Sequence, residues 1–136
     1  MVVESPNYPE LDTAVNTYIG LIEHWDEKSI NSIRQLKTLA LDDNNNVICE
    51  IYFDVKKDTL FANLEDSFDL AKRNSAKKVI LARNYAFQHS YPGQSDKKLA
   101  QKILKFASKS GLTVANQLVV SENSYYSYTE NGLSQT

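Results

Sequence analysis

At 136 residues, 42% of them hydrophobic and 24% charged, the chain has material for one folded core and little more. No stretch approaches the ~20 apolar residues of a membrane span, and the opening MVVESPNYPELD lacks the basic-then-apolar layout of a secretory signal. The single cysteine, Cys49, excludes an internal disulfide or a cysteine metal cluster, so the expected setting is cytoplasmic and independent of membranes. The formal net charge is −2, yet residues 1–70 carry five Lys/Arg against fourteen Asp/Glu, and residues 71–136 carry ten against three. Such an imbalance marks a basic face or an acidic partner where the halves stay apart, and a mixed surface where they interleave in one sheet.

In chain order, Pro9, Glu10 and Asp12 read as a first helical turn, with proline at the start and carboxylates on the positive end of the helix dipole. Leu11, Ala14, Val15, Tyr18, Ile22 and Trp25 then recur at three- and four-residue steps, the stripe of an amphipathic helix. LKTLAL (36–41), DDNNN and VICEIYFDV (47–55) form a β-hairpin signal, the Asp/Asn cluster supplying the turn. Alternation puts Val47, Cys49, Ile51 and Phe53 on one strand face, with Ile48, Glu50, Tyr52 and Asp54 on the other. Cys49 therefore reads as a small core residue.

Asn63, with Asp66 three residues on, predicts a helix N-cap ahead of Leu64, Phe68 and Ala71. VILA (79–82) is too short for a helix and fits a central strand. Ser95 and Asp96 open a third helix with Leu99, Ile103 and Phe106 as its stripe and Gly111 as its stop. LTVANQLVV (112–120) and YYSY (125–128), joined by the turn-prone SENS, complete the pattern. The expectation is one α/β domain, helices packed on a mixed β-sheet, with tails over 1–8 and 133–136 loose. Residues 1–35 form an N-terminal helix and lead-in packed on the main body, 36–133.

Residues 79–133 carry a resemblance. VILA leads into RNYA (83–86), a polar loop follows to Pro92, and GQSD (93–96) opens the next helix. Ten residues separate Tyr85 from Asp96, and NQLVVSENSYYSYTENGL (116–133) closes the run. This resembles the RadC-like JAB domains of the JAMM (MPN) metallopeptidase superfamily. Their signature is His-Asn-His-Pro, a polar loop and Ser-x-x-Asp, with a Tyr-Tyr-Ser-Phe-x-x-x-Gly-Leu ending. The resemblance spans about a hundred residues, and Tyr125-Tyr126-Ser127 with Gly132-Leu133 is its most specific part. It implies a three-layer, cytidine deaminase-like fold and a zinc site of two histidines, one aspartate and a water, with a glutamate on an earlier strand as general base.

The departures from that pattern carry the functional reading. Arg83 and Tyr85 stand at the two histidine positions, Ala86 at the proline, Gly93 at the serine and Asn116-Gln117 at the later Asp-His pair. Zinc needs lone pairs at ~2.0–2.2 Å in tetrahedral array. A guanidinium has none to give, and a neutral phenol is a poor donor. Asp96 alone survives as a candidate ligand, and either Glu50 or Tyr52 occupies the base position. His24 and His89 fall at no ligand position and read as cap or surface residues. The expected vestigial site is thus Glu50, Arg83, Tyr85, Asp96 and Gln117, with no zinc or other cofactor, and Arg83 pairing with Asp96 in place of the metal.

Three functions are compatible with such a site. A catalytically inactive domain would act through protein contacts, self-association included. A nucleic-acid-associated protein, in line with the DNA-repair label of RadC proteins, would use Lys98, Lys102, Lys105 and Lys109 along one helix face, with Lys72, Arg73, Lys77 and Lys78 nearby. A metal-free enzyme would use Arg83, Tyr85, His89 and Asp96.

Overall fold

The computed structural model describes residues 1–84 and 93–135. Its elements are β1 (Val2–Glu4), α1 (Ala14–His24), β2 (Gln35–Leu41), β3 (Val47–Asp54), α2 (Leu60–Arg73), β4 (Lys78–Asn84), α3 (Gln94–Lys109), β5 (Thr113–Val120) and β6 (Tyr125–Ser127). The strands form one sheet in the order β1-β3-β2-β4-β5-β6. Every neighbouring pair is antiparallel except β4 and β5, whose parallel pairing requires the α3 crossover between them. One apolar layer packs α1 on one face of the sheet, and another packs α2 and α3 on the opposite face. The expected mixed sheet flanked by helices is therefore the fold. No helix among the described residues is long and apolar enough to cross a membrane.

The β2–β3 hairpin turns where the Asp/Asn cluster predicts. Asp42 Oδ1 accepts from the backbone N–H groups of Asn44 and Asn46, both at 2.9 Å, and Asn45 takes the left-handed conformation at φ 64°. A register shift between Ala40 and Leu41 leaves Ile48 as an extra residue in β3. The expected alternation fails at that point: Val47 packs in the α1 layer, while Ile48 joins Cys49, Ile51 and Phe53 in the α2/α3 layer. Cys49 is a fully buried core residue, and burial raises its thiol pKa.

The first helix starts five residues later than Pro9-Glu10-Asp12 suggests. Thr13 is its N-cap, its hydroxyl accepting from the Asn16 N–H at 3.1 Å. Pro9 belongs instead to a lead-in lying against the helix. Its buried positions are Ala14, Thr17, Gly20 and Leu21, followed by the buried cap residue Trp25, whereas Val15 points outward at 46% exposure. The lead-in is not loose either. Val2, Val3 and Glu4 pair with Ile51, Glu50 and Cys49, covering the free edge of β3.

Gly20 is where this lead-in meets α1. A Cβ there would lie 2.8 Å from Tyr8 Cδ1 and 3.0 Å from Pro9 Cδ, inside contact distance. Alanine would gain about 1 kcal/mol of helix propensity, but Tyr8 is held in place, so overpacking of about 1–3 kcal/mol outweighs it. Gly20→Ala is expected to lower stability in urea and to speed amide exchange in β1; a stabilised variant with β1 protection intact would contradict this packing.

On the other face, α2 begins at Leu60 rather than at Asn63. Thr59 occupies the cap position and its hydroxyl donates to Asn63 Oδ1 at 3.0 Å. The buried positions of α3 are Ala100, Ile103, Leu104 and Ala107, with Leu99 and Phe106 only half-buried. The actual stripe runs one position away from the expected one because two alanines let the helix lie close to the sheet. Gly111, at φ 80°, follows the Ser110 cap and ends the helix as its position in the sequence indicates.

Candidate functional site: an ion pair between a strand end and a helix start

β4 ends at Asn84 and α3 starts at Gln94, so the last residues of the strand face the first turn of the helix. Arg83 pairs across the sheet with Leu36, a member of the α2/α3 layer, which fixes its side chain on that face. Asp96 lies in the first turn of α3, where the helix dipole favours a carboxylate.

The two meet in a two-pronged ion pair. Arg83 Nη1 donates to Asp96 Oδ1 at 2.9 Å, and Nη2 donates to Oδ2 at 3.2 Å. Their side chains are 12% and 17% exposed, so the pair is largely withdrawn from water. Fork geometry of this kind is among the stronger charge-assisted contacts. The Tyr128 hydroxyl also donates to Asp96 Oδ2. Tyr128 is buried, and its ring meets Tyr126 edge-on at 5.1 Å. A cleft of about 110 Å³ beside the pair is lined by Arg34, Gln35, Leu60, Arg83, Asp96 and Leu99 among others.

Sequence reasoning brings together Arg83 and Asp96 and misses Tyr128. The YYSY run reads as a strand, but nothing local tells that β6 returns antiparallel to β5 and sets Tyr128 over α3. Tyr85 and His89, together with Ala86 and Pro92, lie outside the described residues. Gln117 is 2% exposed on β5 and turned toward α3, where its Nε2 donates to the Ala100 carbonyl at 3.4 Å. Its Oε1 is buried without a hydrogen-bond partner among the described residues.

Glu50 belongs to a different place. It pairs with Leu39, a member of the α1 layer, and so lies on the sheet face opposite Arg83 and Asp96. There it is 3% exposed, accepts from the Tyr8 hydroxyl, and faces Lys37 Nζ at 3.5 Å. Lys37 donates at 2.8 Å to the carbonyl of His24, the last residue of α1, satisfying a helix-end acceptor. It also lies over the Trp25 ring at 4.7 Å. His24 is the stacking partner of Tyr8, centroids 4.2 Å apart, and its Nε2 lies 2.6 Å from the Asn7 carbonyl. Glu50 thus anchors the N-terminal lead-in. Tyr52 and Asp54 follow Glu50 by two and four residues, on the same strand face.

A zinc ion of the kind the resemblance implies does not suit these side chains. Both oxygens of Asp96 are engaged by a permanent cation, and a metal would have to displace the Arg83 guanidinium and then share the space with it. Among the described residues, no three His, Cys, Asp or Glu side chains gather within reach of one ion.

The lysines named for a nucleic-acid face, Lys98, Lys102, Lys105 and Lys109, are all exposed on the outer side of α3. None forms an ion pair with a carboxylate among the described residues.

Comparison with known proteins agrees with the strand, loop and helix pattern. Residues 15–133 match the family model of the RadC-like JAB domain. The chain is 32% identical over 108 residues to a UPF0758 protein of Symbiobacterium thermophilum, an alignment covering 75% of this chain and 44% of that protein. It is 26% identical over 121 residues to a UPF0758 protein of Clostridioides difficile, covering 82% and 51%. With the UPF0758 protein YkfG of Escherichia coli K12 it shares 27% identity over 107 residues, covering 73% and 63%. The chain spans about half the length of the curated relatives it matches. With most of its length inside one family model, the chain belongs to the RadC-like JAB domain family.

Proposed function

We propose that this chain is a catalytically inactive RadC-like JAB domain, a pseudo-metallopeptidase that acts through protein contacts. The observation that carries this reading is the Arg83–Asp96–Tyr128 cluster. An arginine engages the one surviving carboxylate of the metal set with both terminal nitrogens, and a tyrosine hydroxyl binds the same carboxylate. The cluster compensates a poorly hydrated charge without a metal and leaves the domain a stable scaffold. Exposed apolar side chains at Val15, Ile19, Ile33 and Phe61 offer contact surface.

Metal content is the direct test. Elemental analysis of the purified chain, after incubation with zinc and desalting, is expected to give far less than one zinc per chain. Arg83→His combined with Tyr85→His is expected to raise uptake toward one, since two imidazoles would then join Asp96. Stoichiometric zinc in the unmodified chain would overturn the proposal.

The exposed lysine row on α3 supports a second reading, attachment to nucleic acid in a DNA-repair or mobile-element context. Phosphate neutralisation by this row would make duplex binding fall steeply with salt. Failure to bind duplex at low salt removes that reading.

A further inference from the structure

The exposed side of α3 and the α1 side of the sheet carry patches of opposite sign. Lys98, Lys102, Lys105 and Lys109 follow one another at four-, three- and four-residue steps on the exposed side of α3. Of the acids of α2, Asp66 and Asp69 line a cleft with Met1 and Phe53 at the β1–β3 side of the molecule, and Glu65 forms no ion pair with the row among the described residues.

Behind the sheet, α1 exposes Val15 and Ile19, each at 46%, on the row that continues to Ile22. Ile22, Trp25 and Ile30 wall a slot of about 210 Å³ whose remaining lining is Glu27 and Glu122, both exposed carboxylates. Apolar walls beneath two carboxylates suit a long aliphatic stem ending in a cation. Asn31 holds the Glu122 carboxylate in place. Its Nδ2 donates to Glu122 Oε2 at 2.6 Å, while its Oδ1 is buried with no partner among the described residues.

We propose that two copies of this chain associate face to back. The α3 lysine row of one copy lies on the α1 face of the other, and one lysine enters the slot between Glu27 and Glu122. The complementary charge is carried by the chain itself, which favours a second copy as the occupant. This deepens the protein-contact reading given above and rests on it. The two patches are different surfaces, so each pair leaves one of each free, and association continues with concentration unless the rotation closes a ring. Because the charged groups are exposed, the contact is screened within a Debye length of about 8 Å at physiological salt.

Sedimentation velocity tests this. At low ionic strength the weight-average mass is expected to rise with concentration, and to return to that of one chain near 0.5 M salt, roughly where screening shortens to a few ångströms. Glu27→Lys with Glu122→Lys in one variant, and Lys102→Glu with Lys105→Glu in another, are each expected to weaken self-association at least tenfold. Their equimolar mixture is expected to regain self-association, since each face of one variant is complementary to a face of the other. All four sites are exposed, so circular dichroism should match that of the parent. A wild type that stays single at low salt overturns the proposal, as does a mixture of variants that stays single. If the single chain instead binds duplex DNA through the same lysines, the row belongs to nucleic acid and the self-contact falls. Zinc content is independent of all these outcomes: a metal-loaded chain that self-associates sinks the inactive-enzyme reading alone, and a metal-free single chain sinks only the contact.

Discussion

Replacing Asp96 with alanine is expected to destabilise the fold by about 2–4 kcal/mol, the range for stranding one partner of a buried ion pair, reduced here for residual solvent contact. The reason is the Arg83 guanidinium. At 12% side-chain exposure it cannot recover full hydration, and its Nε already lacks a hydrogen-bond partner among the described residues. The Tyr128 hydroxyl would lose an acceptor at the same time. By contrast, Arg83→Met combined with Asp96→Leu is expected to recover most of the loss, because an apolar pair of similar volume has no charge to strand. Urea titrations of the two single variants and the double variant close the cycle. A double variant as unstable as Asp96→Ala would mean that the pair itself is not the stabilising unit.

Glu50→Ala is expected to cost as much or more, about 3–5 kcal/mol, since Lys37 and Glu50 are 5% and 4% exposed in their side chains. Alkaline titration separates the members of this cluster. Burial, partly offset by Glu50, holds the Lys37 ammonium below its usual 10.5. Between that lowered value and 10.5 the unfolded chain carries more protons than the folded one, so this group makes stability rise with pH across the window. Tyr8 works in the opposite direction. Burial first, then the charge of Glu50 and the hydrogen bond to it, push the phenol well above 10.0. Above pH 10 the folded chain keeps a proton that the unfolded chain releases, and stability falls. Lys37→Met should remove the rise and Tyr8→Phe should remove the fall, read as urea midpoints from about pH 8 to 11. Parallel pH profiles for the parent and both variants would contradict the cluster.

Legibility in the sequence follows the range of the interaction that fixes each feature. VILA, the α3 helix and its Gly111 stop are set by residues within a few positions of one another, and they stand where the sequence puts them. β1 is only three residues long, and its pairing with Glu50 and its neighbours is a contact across almost fifty positions that no local pattern announces. Pro9, Glu10 and Asp12 have the composition of a helix start but are spent on a lead-in, because Thr13 offers the hydroxyl that caps the backbone. Alternation along β3 separates Glu50 from Cys49 correctly without telling which face α3 will cover. The placement of Glu50 on the α1 face is of that kind. The Arg83–Asp96 pair is legible because a family pattern supplies the distant contact that the sequence itself does not state.

The sheet stands as a wall between Glu50 and the Arg83–Asp96 pair, and on the inactive-domain reading proposed above this would make a way back to hydrolysis longer than two imidazoles suggest. Two histidines could reassemble an ion site on one side, yet the carboxylate the resemblance would use to activate water would remain behind the strands, committed to Tyr8 and Lys37. A new acid on the α3-facing row of β2, at Leu36 or Thr38, would be needed as well, in a layer now packed with apolar side chains. On that reading neither repair alone would restore hydrolysis, and selection for the reaction would have no intermediate step to reward.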